Sequence, residues 1–580
     1  MKRYKFLMIA AFWCVSETMN GQSIPVNNAE DTIICAERIY VATDRGAYLA
    51  GETMWLSLYC VDANDGGTLS ATSEVAYLEF YNASDLVLTA KTWLSKGRGA
   101  GSIELPTALP TGNYILKAYT KHMYNELVPV IFEKTIPVYN ALTNDRVEDN
   151  VAVSHLQDDS FTTGFRLHEL SMGYSDSIVG FAFNEGGVRV NAGQNFSFLL
   201  ENKTLDNITT NVSVFRKDSV SVFGANNIVN TLGKLDVGAG FRWHYLPDLE
   251  GEVISGRVVC DSPLDINGAV MSFSVVGEPS LVFMTLLDRT GGFEVYTPPF
   301  FGNRKVVVEF PYLNDVTGLD ILLDDSYIKE APTYFPKLLL NESIASSLLE
   351  RSIEMQIAHR CGLDTIYQYV IPYKDPLLKS NPVVYKLDDY VRFPAMQEVI
   401  VEFIPELRYR KREGKTYLQV RLTNEFRALS FADQGTLVLL DGVPVFDHSK
   451  ILEVDPLKIE SISIYTDEYS IGHLKFTGVV IFNTYNGNHP GISGEKNTFI
   501  KDFDGMLYPS FMSVKMKDYP ENLPDLRSLL YWNPMCNIDG KSSREIVFKT
   551  SSKKGEFIIL VEGISANGNP FFDYAEITVL

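Results

Sequence analysis

Between residues 437 and 487 the chain reads LVLLDGVPVFDHSKILEVDPLKIESISIYTDEYSIGHLKFTGVVIFNTYNG. The apolar run Leu437–Leu440 stops at Asp441-Gly442-Val443-Pro444, Pro456 precedes a second run at Ile459–Tyr465, and Gly478–Asn483 makes a third. Asp-Gly accepts the positive φ of a tight turn, so the stretch reads as short strands joined by sharp reversals. The same grammar begins at Ile39, where short alternating apolar runs are cut by Gly and Pro. Alternation with period two and frequent turn residues predict strands. Past the N-terminus no apolar run approaches the roughly 18 residues of a membrane-spanning helix. The expectation is a mainly β chain with no transmembrane segment.

At 580 residues the chain is several domains long, and a hydrophobic fraction of 46% suits packed globular modules. Lys and Arg number 51 against 72 Asp and Glu, a net charge of −21. Such a field opposes nucleic acid and anionic lipid headgroups, so nucleic-acid binding is not expected. The local basic run Arg408-Tyr409-Arg410-Lys411-Arg412 adjoins Glu413-Gly414-Lys415 and reads as a solvated hairpin.

Residues 1–22 place Lys2, Arg3 and Lys5 before the apolar run Phe6–Val15 and a polar stretch ending Asn20-Gly21-Gln22. This is the layout of a secretory signal, too short to span a bilayer. Cys14 leaves a lipoprotein signal as the alternative, which the bulky Trp13 before it disfavours. Cys35, Cys60, Cys260, Cys361 and Cys536 are too widely spaced for a metal knuckle or a dense disulfide framework. They read either as buried small hydrophobes or with one bridge, Cys35 to Cys60, in an oxidising compartment.

Along the chain, the first β module is expected at 35–140, with IYVATDRGAYLAGETMWLSLYCVDA (39–63) and GSIELPTALPTGNYILKAYTKHM (101–123) as its ends. These residues resemble the second domain of α-macroglobulin-type proteins, which implies an immunoglobulin-like sandwich. A second macroglobulin-like sandwich is expected at 150–240, with 187–204 and 211–218 as strands. A third, at 246–330, runs from GEVISGRVVC (251–260) through the Asn267-Gly268 turn to Gly292-Phe293-Glu294, and resembles the carboxypeptidase regulatory-like β-sandwich. Residues 341–362 read as one connecting helix, capped by Asn341 and stopped by Gly362, with Ile344, Leu348, Leu349, Ile353, Ile357 and Cys361 on its apolar face. It is expected to pack between the third sandwich and the unit that follows. A C-terminal tail and β unit should occupy 488–580.

The stretch at 437–487, within a unit expected at 390–487, resembles the plug domain of TonB-dependent outer-membrane receptors. In those receptors a large barrel follows the plug. Only 93 residues follow Gly487, whereas even a small membrane barrel needs about eight strands of roughly ten residues plus turns and ligand-importing ones far more, so an α+β plug-like domain without a barrel of its own is expected. That resemblance implies an exported protein, periplasmic or outer-membrane associated in a Gram-negative envelope, bound to an outer-membrane protein or transport complex. The candidate partner-binding residues are Asp441, Gly442, Val443, Pro444 and Phe446 at the first turn, and Tyr465, Asp467, Glu468 and Tyr469 at the second. Aromatic groups of this kind carry interface energy, and they equally suit packing on the helix at 341–361 or on the tail.

Motifs for catalysis are sparse. Cys361-Gly362-Leu363-Asp364 lacks the Gln of a macroglobulin thioester, Leu167-His168-Glu169 lacks the second His of a zinc helix, and Gly491-Ile492-Ser493-Gly494 falls short of a nucleophile elbow. Asp324-Asp325 and Asp388-Asp389 lack the spacing of a calcium loop. Asn-x-Ser/Thr strings at Asn82, Asn195, Asn202, Asn207 and Asn211 are read as silent in a bacterial envelope. No catalytic residue, cofactor or metal is expected. The leading reading is a non-enzymatic envelope scaffold or binding protein, with surface adhesion or protease interaction through the macroglobulin-like sandwiches as the alternative.

Overall fold

The computed structural model describes residues 35–83, 85–153, 178–183, 188–220, 227–235, 240–260, 266–277, 280–311, 318–361, 368–370, 381–423, 429–431, 435–472, 474–487, 497–512 and 524–580. The expected signal at 1–22, Cys14 and the Gly491–Gly494 string lie outside them. The fold is mainly β, as the period-two pattern predicts, and it is a string of sandwiches with few helices.

The first sandwich, Glu37–Tyr139, pairs Glu37–Thr43, Thr53–Asp62 and Arg98–Glu104 in one sheet. The opposite sheet holds Val75–Asn82, Asp85–Ser95, Gly112–Tyr119 and Phe132–Tyr139. The long strand Asp85–Ser95 serves both, since its last residues also pair with Arg98 and Gly99. Its turn motif has a structural cause. Asp44 accepts hydrogen bonds from Tyr48 Oη at 2.6 Å and Trp55 N at 2.9 Å, Glu52 accepts from Leu49 N at 2.7 Å, and Gly51 sits at φ +94°. Positive φ is cheap only without a Cβ, which accounts for glycine there. Likewise Tyr114 Oη donates back to Pro110 O at 2.8 Å, closing the Pro-Thr-Gly turn.

The second sandwich departs from expectation. Val179–Phe183 and Asn195–Asn202 form a sheet with Ser543–Lys549, and Ile208–Arg216 lies between Leu529–Ile538 and Gly555–Ser565, with Pro570–Val579 beyond. Residues 150–240 therefore hold only part of a sandwich, and 488–580 is not a unit of its own. Their apolar faces close one core, from Phe198 and Val212 to Ile546, Phe557 and Ile577. A half-sandwich leaves its inner face in water, so the two segments find each other.

The third sandwich packs Gly292–Tyr296, Val253–Val259 and Asp320–Leu323 against Leu281–Leu286, Val270–Val275 and Asn303–Glu309. It too borrows from the tail, since Thr498–Asp504 adds to Asn303–Glu309. The α+β unit begins at Val383–Lys386, before the expected boundary at 390, and orders that strand beside Ile459–Ile471, Leu474–Thr484, Leu437–Leu440 and Val443–Pro444. The basic hairpin forms as read, Leu407–Arg412 on Lys415–Thr423, with Glu413 at φ +53° and Gly414 at +76° in its turn.

The helix runs Ala345–Cys361 after a 3-10 turn, Glu342–Ile344, that Asn341 caps through Ser343 N. Its packing face keeps only part of the predicted stripe. Ile344 and Leu348 pack against the core around Ala47 and Tyr139, but Leu349 and Ile353 are exposed, and the buried positions are Arg351, Ser352 and Met355. Nor does it lie between the third sandwich and the α+β unit. Arg351 donates to Glu52 and to Ala47 O of the first sandwich, and Glu354 pairs with Lys553 of the second at 2.9 Å. A charged residue on the inner face replaces part of the apolar stripe because its partners wait on the sandwich surface.

Candidate functional site

The Asp441-Gly442 turn is held from two sides. The Asp441 carboxylate accepts from Thr484 N at 2.6 Å and Thr484 Oγ1 at 2.7 Å. A Cβ at Gly442, φ +83°, would lie 2.2 Å from Ser280 Cβ, so the turn is pressed onto the third sandwich. Val443 and Pro444 are buried. Tyr465 is buried, and Phe446 and Tyr469 pack with it, Leu437, Leu439 and Val479 against Val282 and Met284 of the third sandwich. The Tyr465 and Tyr469 rings meet edge-on, 6.1 Å apart at 87°. Asp467 and Glu468 stand exposed at an irregularity of the strand pairing. The structure thus brings the expected aromatic residues together, but as an internal joint. Among the described residues, the cluster they join includes none of the helix at 345–361 or of the tail.

The other joints carry the buried polar groups, none of which the sequence pattern marks. Between the first and third sandwiches, Lys91 Nζ lies 2.9 and 2.7 Å from the two Glu252 oxygens, and Ser326 Oγ donates to the same carboxylate. Beside it Tyr77 Oη and Val253 N donate to Asp248, whose burial pushes its carboxyl up to about 6. Between the first and second sandwiches, Tyr40 Oη donates to Glu562 at 2.7 Å, and Tyr59 Oη to Asn211 and to Glu562 O. Burial raises the Glu562 carboxyl and lowers the Lys134 ammonium that faces it. Arg98 donates to Pro534 O and stacks over the Tyr59 ring at 3.4 Å. Buried charges of this kind persist only when paired or hydrogen-bonded.

A cleft of about 110 Å³ opens beside the helix, lined by Arg45, Glu52, Trp55, Met355, His359 and Arg527 among others. Its cations are matched. Arg45 pairs with Asp44 at 2.9 Å and Arg527 with Asp525 at 2.7 Å. Among the described residues no group of three or more His, Cys, Asp or Glu is placed to hold a metal ion. The Cys536 thiol is raised by burial, which opposes the nucleophilic thiolate. Cys361 ends the helix, and the rest of the Cys361–Asp364 string lies outside the described residues.

Several large apolar residues stand exposed at the end of the first sandwich. Glu126 bridges to Phe241 in antiparallel fashion, which lays residues 240–246 along residues 122–127 at the end of the first sandwich. Trp243 there is 62% exposed, Leu127 62% and Val128 67%. Phe241 and Trp243 meet edge-on at 4.8 Å, and His122 stands 5.9 Å from Trp243.

No family model and no curated protein matches the chain. Solved structures similar to it include Salmonella α2-macroglobulin reacted with methylamine, 8% identical over 94% of this chain and 39% of that one, with a TM-score of 0.23. The native conformation of Escherichia coli α2-macroglobulin is 8% identical over 96% and 40%, and its trypsin-activated form 9% identical over 95% and 42%, both with a TM-score of 0.23. The chain spans about two-fifths of the length of those proteins. Scores this low do not establish a common overall arrangement. Among the described residues no helix is long and apolar enough to cross a membrane.

Proposed function

We propose that this chain is a non-enzymatic scaffold or binding protein of the cell envelope. The observation that carries the reading is the use of its buried ionisable groups. Lys91, Glu252, Glu562, Arg98 and Arg351 each bond across a joint between elements distant in sequence, where they fix orientation instead of facing an open cleft. The tail supports it too. Residues 498–504 join the third sandwich, Leu507 bridges to Thr92 of the first, and 529–579 complete the second. A chain that returns through three modules suits a fixed platform.

The finer reading, association with an outer-membrane barrel or transport complex, draws on the plug-like sequence at 437–487 and on the apolar stretch at 6–15. With Phe446, Tyr465 and Tyr469 engaged internally, the contact falls to other surfaces of the chain. The test is in-cell cross-linking of the full chain followed by purification from detergent-solubilised envelope. Stoichiometric recovery of an outer-membrane barrel protein is expected. Recovery of a soluble protease with no envelope protein, or hydrolytic turnover by the purified chain, would overturn the proposal.

A further inference from the structure

The hairpin of Leu407–Arg412 on Lys415–Thr423 is a basic ribbon on a chain whose net charge is −21. Its register sets Arg408 opposite Gln419, Arg410 opposite Tyr417 and Arg412 opposite Lys415. Paired residues share a face of a sheet, and every second residue along a strand returns to that face, so these six make one contiguous surface. Burial agrees. Arg410, Arg412, Lys415 and Tyr417 are exposed, whereas Leu407, Thr416, Leu418 and Val420 of the opposite face are buried. Arg408 Nε donates to Gln419 Oε1 at 3.1 Å, which steadies the first guanidinium of the row. Successive arginines stand about 6.8 Å apart along the strand. Glu413 approaches Arg412 only to 3.7 Å, with both side chains more than 80% exposed, and an exposed pair of this kind neutralises little.

The two long edges of the ribbon differ, and the difference selects the occupant. Arg421 N donates to Glu406 O at 2.7 Å, so residues 406, 408, 410 and 412 bond towards the second strand while the main chain of Tyr409 and Lys411 points away from it. The outer edge of the second strand is covered, since Leu418 N donates to His448 Nδ1 at 2.9 Å and Val420 N to Thr436 Oγ1 at 3.2 Å. On the outer edge of the first, Leu407 N donates to Ile404 O, but among the described residues the main-chain N–H and C=O of Tyr409 and Lys411 have no partner. An unpaired edge is a template for a further strand. Every second side chain of such a strand falls beside Arg408, Arg410 and Arg412. A second copy of the same edge would set cation against cation, and an apolar strand would leave the cations unanswered. Carboxylates at alternate positions match both their sign and their spacing. A phosphate-bearing surface meets the cations but brings no donor for the Tyr409 and Lys411 carbonyls. We infer that the free edge at Leu407–Arg412 captures an extended acidic segment of a partner protein by strand addition, with Asp or Glu at every second residue. The inference stands on the geometry of the hairpin and not on association with a barrel.

The test uses the full chain and a short fluorescent peptide alternating Glu and Thr, read by anisotropy. Saturable binding that weakens with salt is expected, together with at least roughly fivefold weaker binding of a peptide of the same composition with its Glu residues in one block. Arg410→Glu combined with Arg412→Glu changes exposed side chains, so thermal unfolding should be unmoved while affinity drops roughly tenfold or more. Two isomers of the peptide, N-methylated at its Glu or at its Thr residues, report on the edge itself. Only one set of N–H groups can face the ribbon, so one isomer should lose binding and the other keep it. Equal binding of the two isomers, equal binding of the alternating and blocked peptides, or unchanged affinity in the doubly substituted chain would overturn the inference. Binding to phosphatidylglycerol vesicles without binding to the peptide would make this a phosphate-binding face and overturn it as well. Failure here leaves the scaffold reading intact, since cross-linking to a barrel protein is scored separately.

Discussion

Lys91 and Glu252 meet at 2.7 Å across the joint between the first and third sandwiches, with 2% and 0% of their side chains exposed. Lys91 also stands 4.3 Å from the centre of the Phe503 ring, so one ammonium touches the first sandwich, the third and the returning tail. Removing one member strands the other in a dry site. Lys91→Met should cost about 3–5 kcal/mol in chemical denaturation, whereas Lys91→Met with Glu252→Gln should recover most of the loss. Equal losses in the single and double variants would show that the pair does not act as a unit.

Two buried groups give stability opposite slopes with pH. Asp248 holds its proton in the folded chain up to about pH 6, through burial, while the unfolded carboxyl releases it near 3.8. The folded state binds the extra proton across that window, so stability falls as pH rises through it, by up to about 3 kcal/mol. His448 is the reverse. Burial lowers it to about 4 from 6.5, and its Nδ1 accepts from Leu418 N. The unfolded state takes the proton first, so His448 costs stability as pH falls from about 6.5 towards 4. Unfolding free energies at pH 4.5 and 7 should show Asp248→Asn gaining on the parent chiefly at pH 7. The His448 ring should titrate near pH 4 by NMR, and a midpoint at its ordinary value would refute the burial argument.

The helix offers a direct comparison of two faces. Leu349→Gln and Ile353→Gln alter exposed residues and should leave stability within about 0.5 kcal/mol. Met355 is buried with its sulfur against Gly51 of the first sandwich, so Met355→Ala should cost roughly 2–5 kcal/mol. Thermal or urea unfolding of the three variants decides between the faces, and the opposite order would restore the apolar stripe read from the sequence.

A chain ended at residue 523 loses the strands Leu529–Ile538, Ser543–Lys549, Gly555–Ser565 and Pro570–Val579. Because these complete the second sandwich, residues 179–216 should become protease-sensitive, while residues 37–139 retain a protected core. Limited proteolysis with mass spectrometry checks this. Protection of 179–216 in the shortened chain would mean that the half-sandwich folds alone.

Local physics was legible in the order of residues. Gly51, the Asp441-Gly442 turn, the Glu413-Gly414 hairpin, the Asn341 cap and most strands follow from alternation, positive φ and capping, all of which involve neighbours a few positions apart. What tertiary structure alone decided is who meets whom. Tyr40 and Glu562 are 522 positions apart, Lys91 and Glu252 are 161, and no periodicity links them. A strand's pattern states which face is apolar but not which partner covers it, so the tail read as a separate unit when it closes the second sandwich. Phe446, Tyr465 and Tyr469 read as partner-binding residues, or as packing on the helix or the tail, and the structure packs them with Val282 and Met284 of the same chain. Burial depends on the whole surface closing together, and only the folded chain supplies that information.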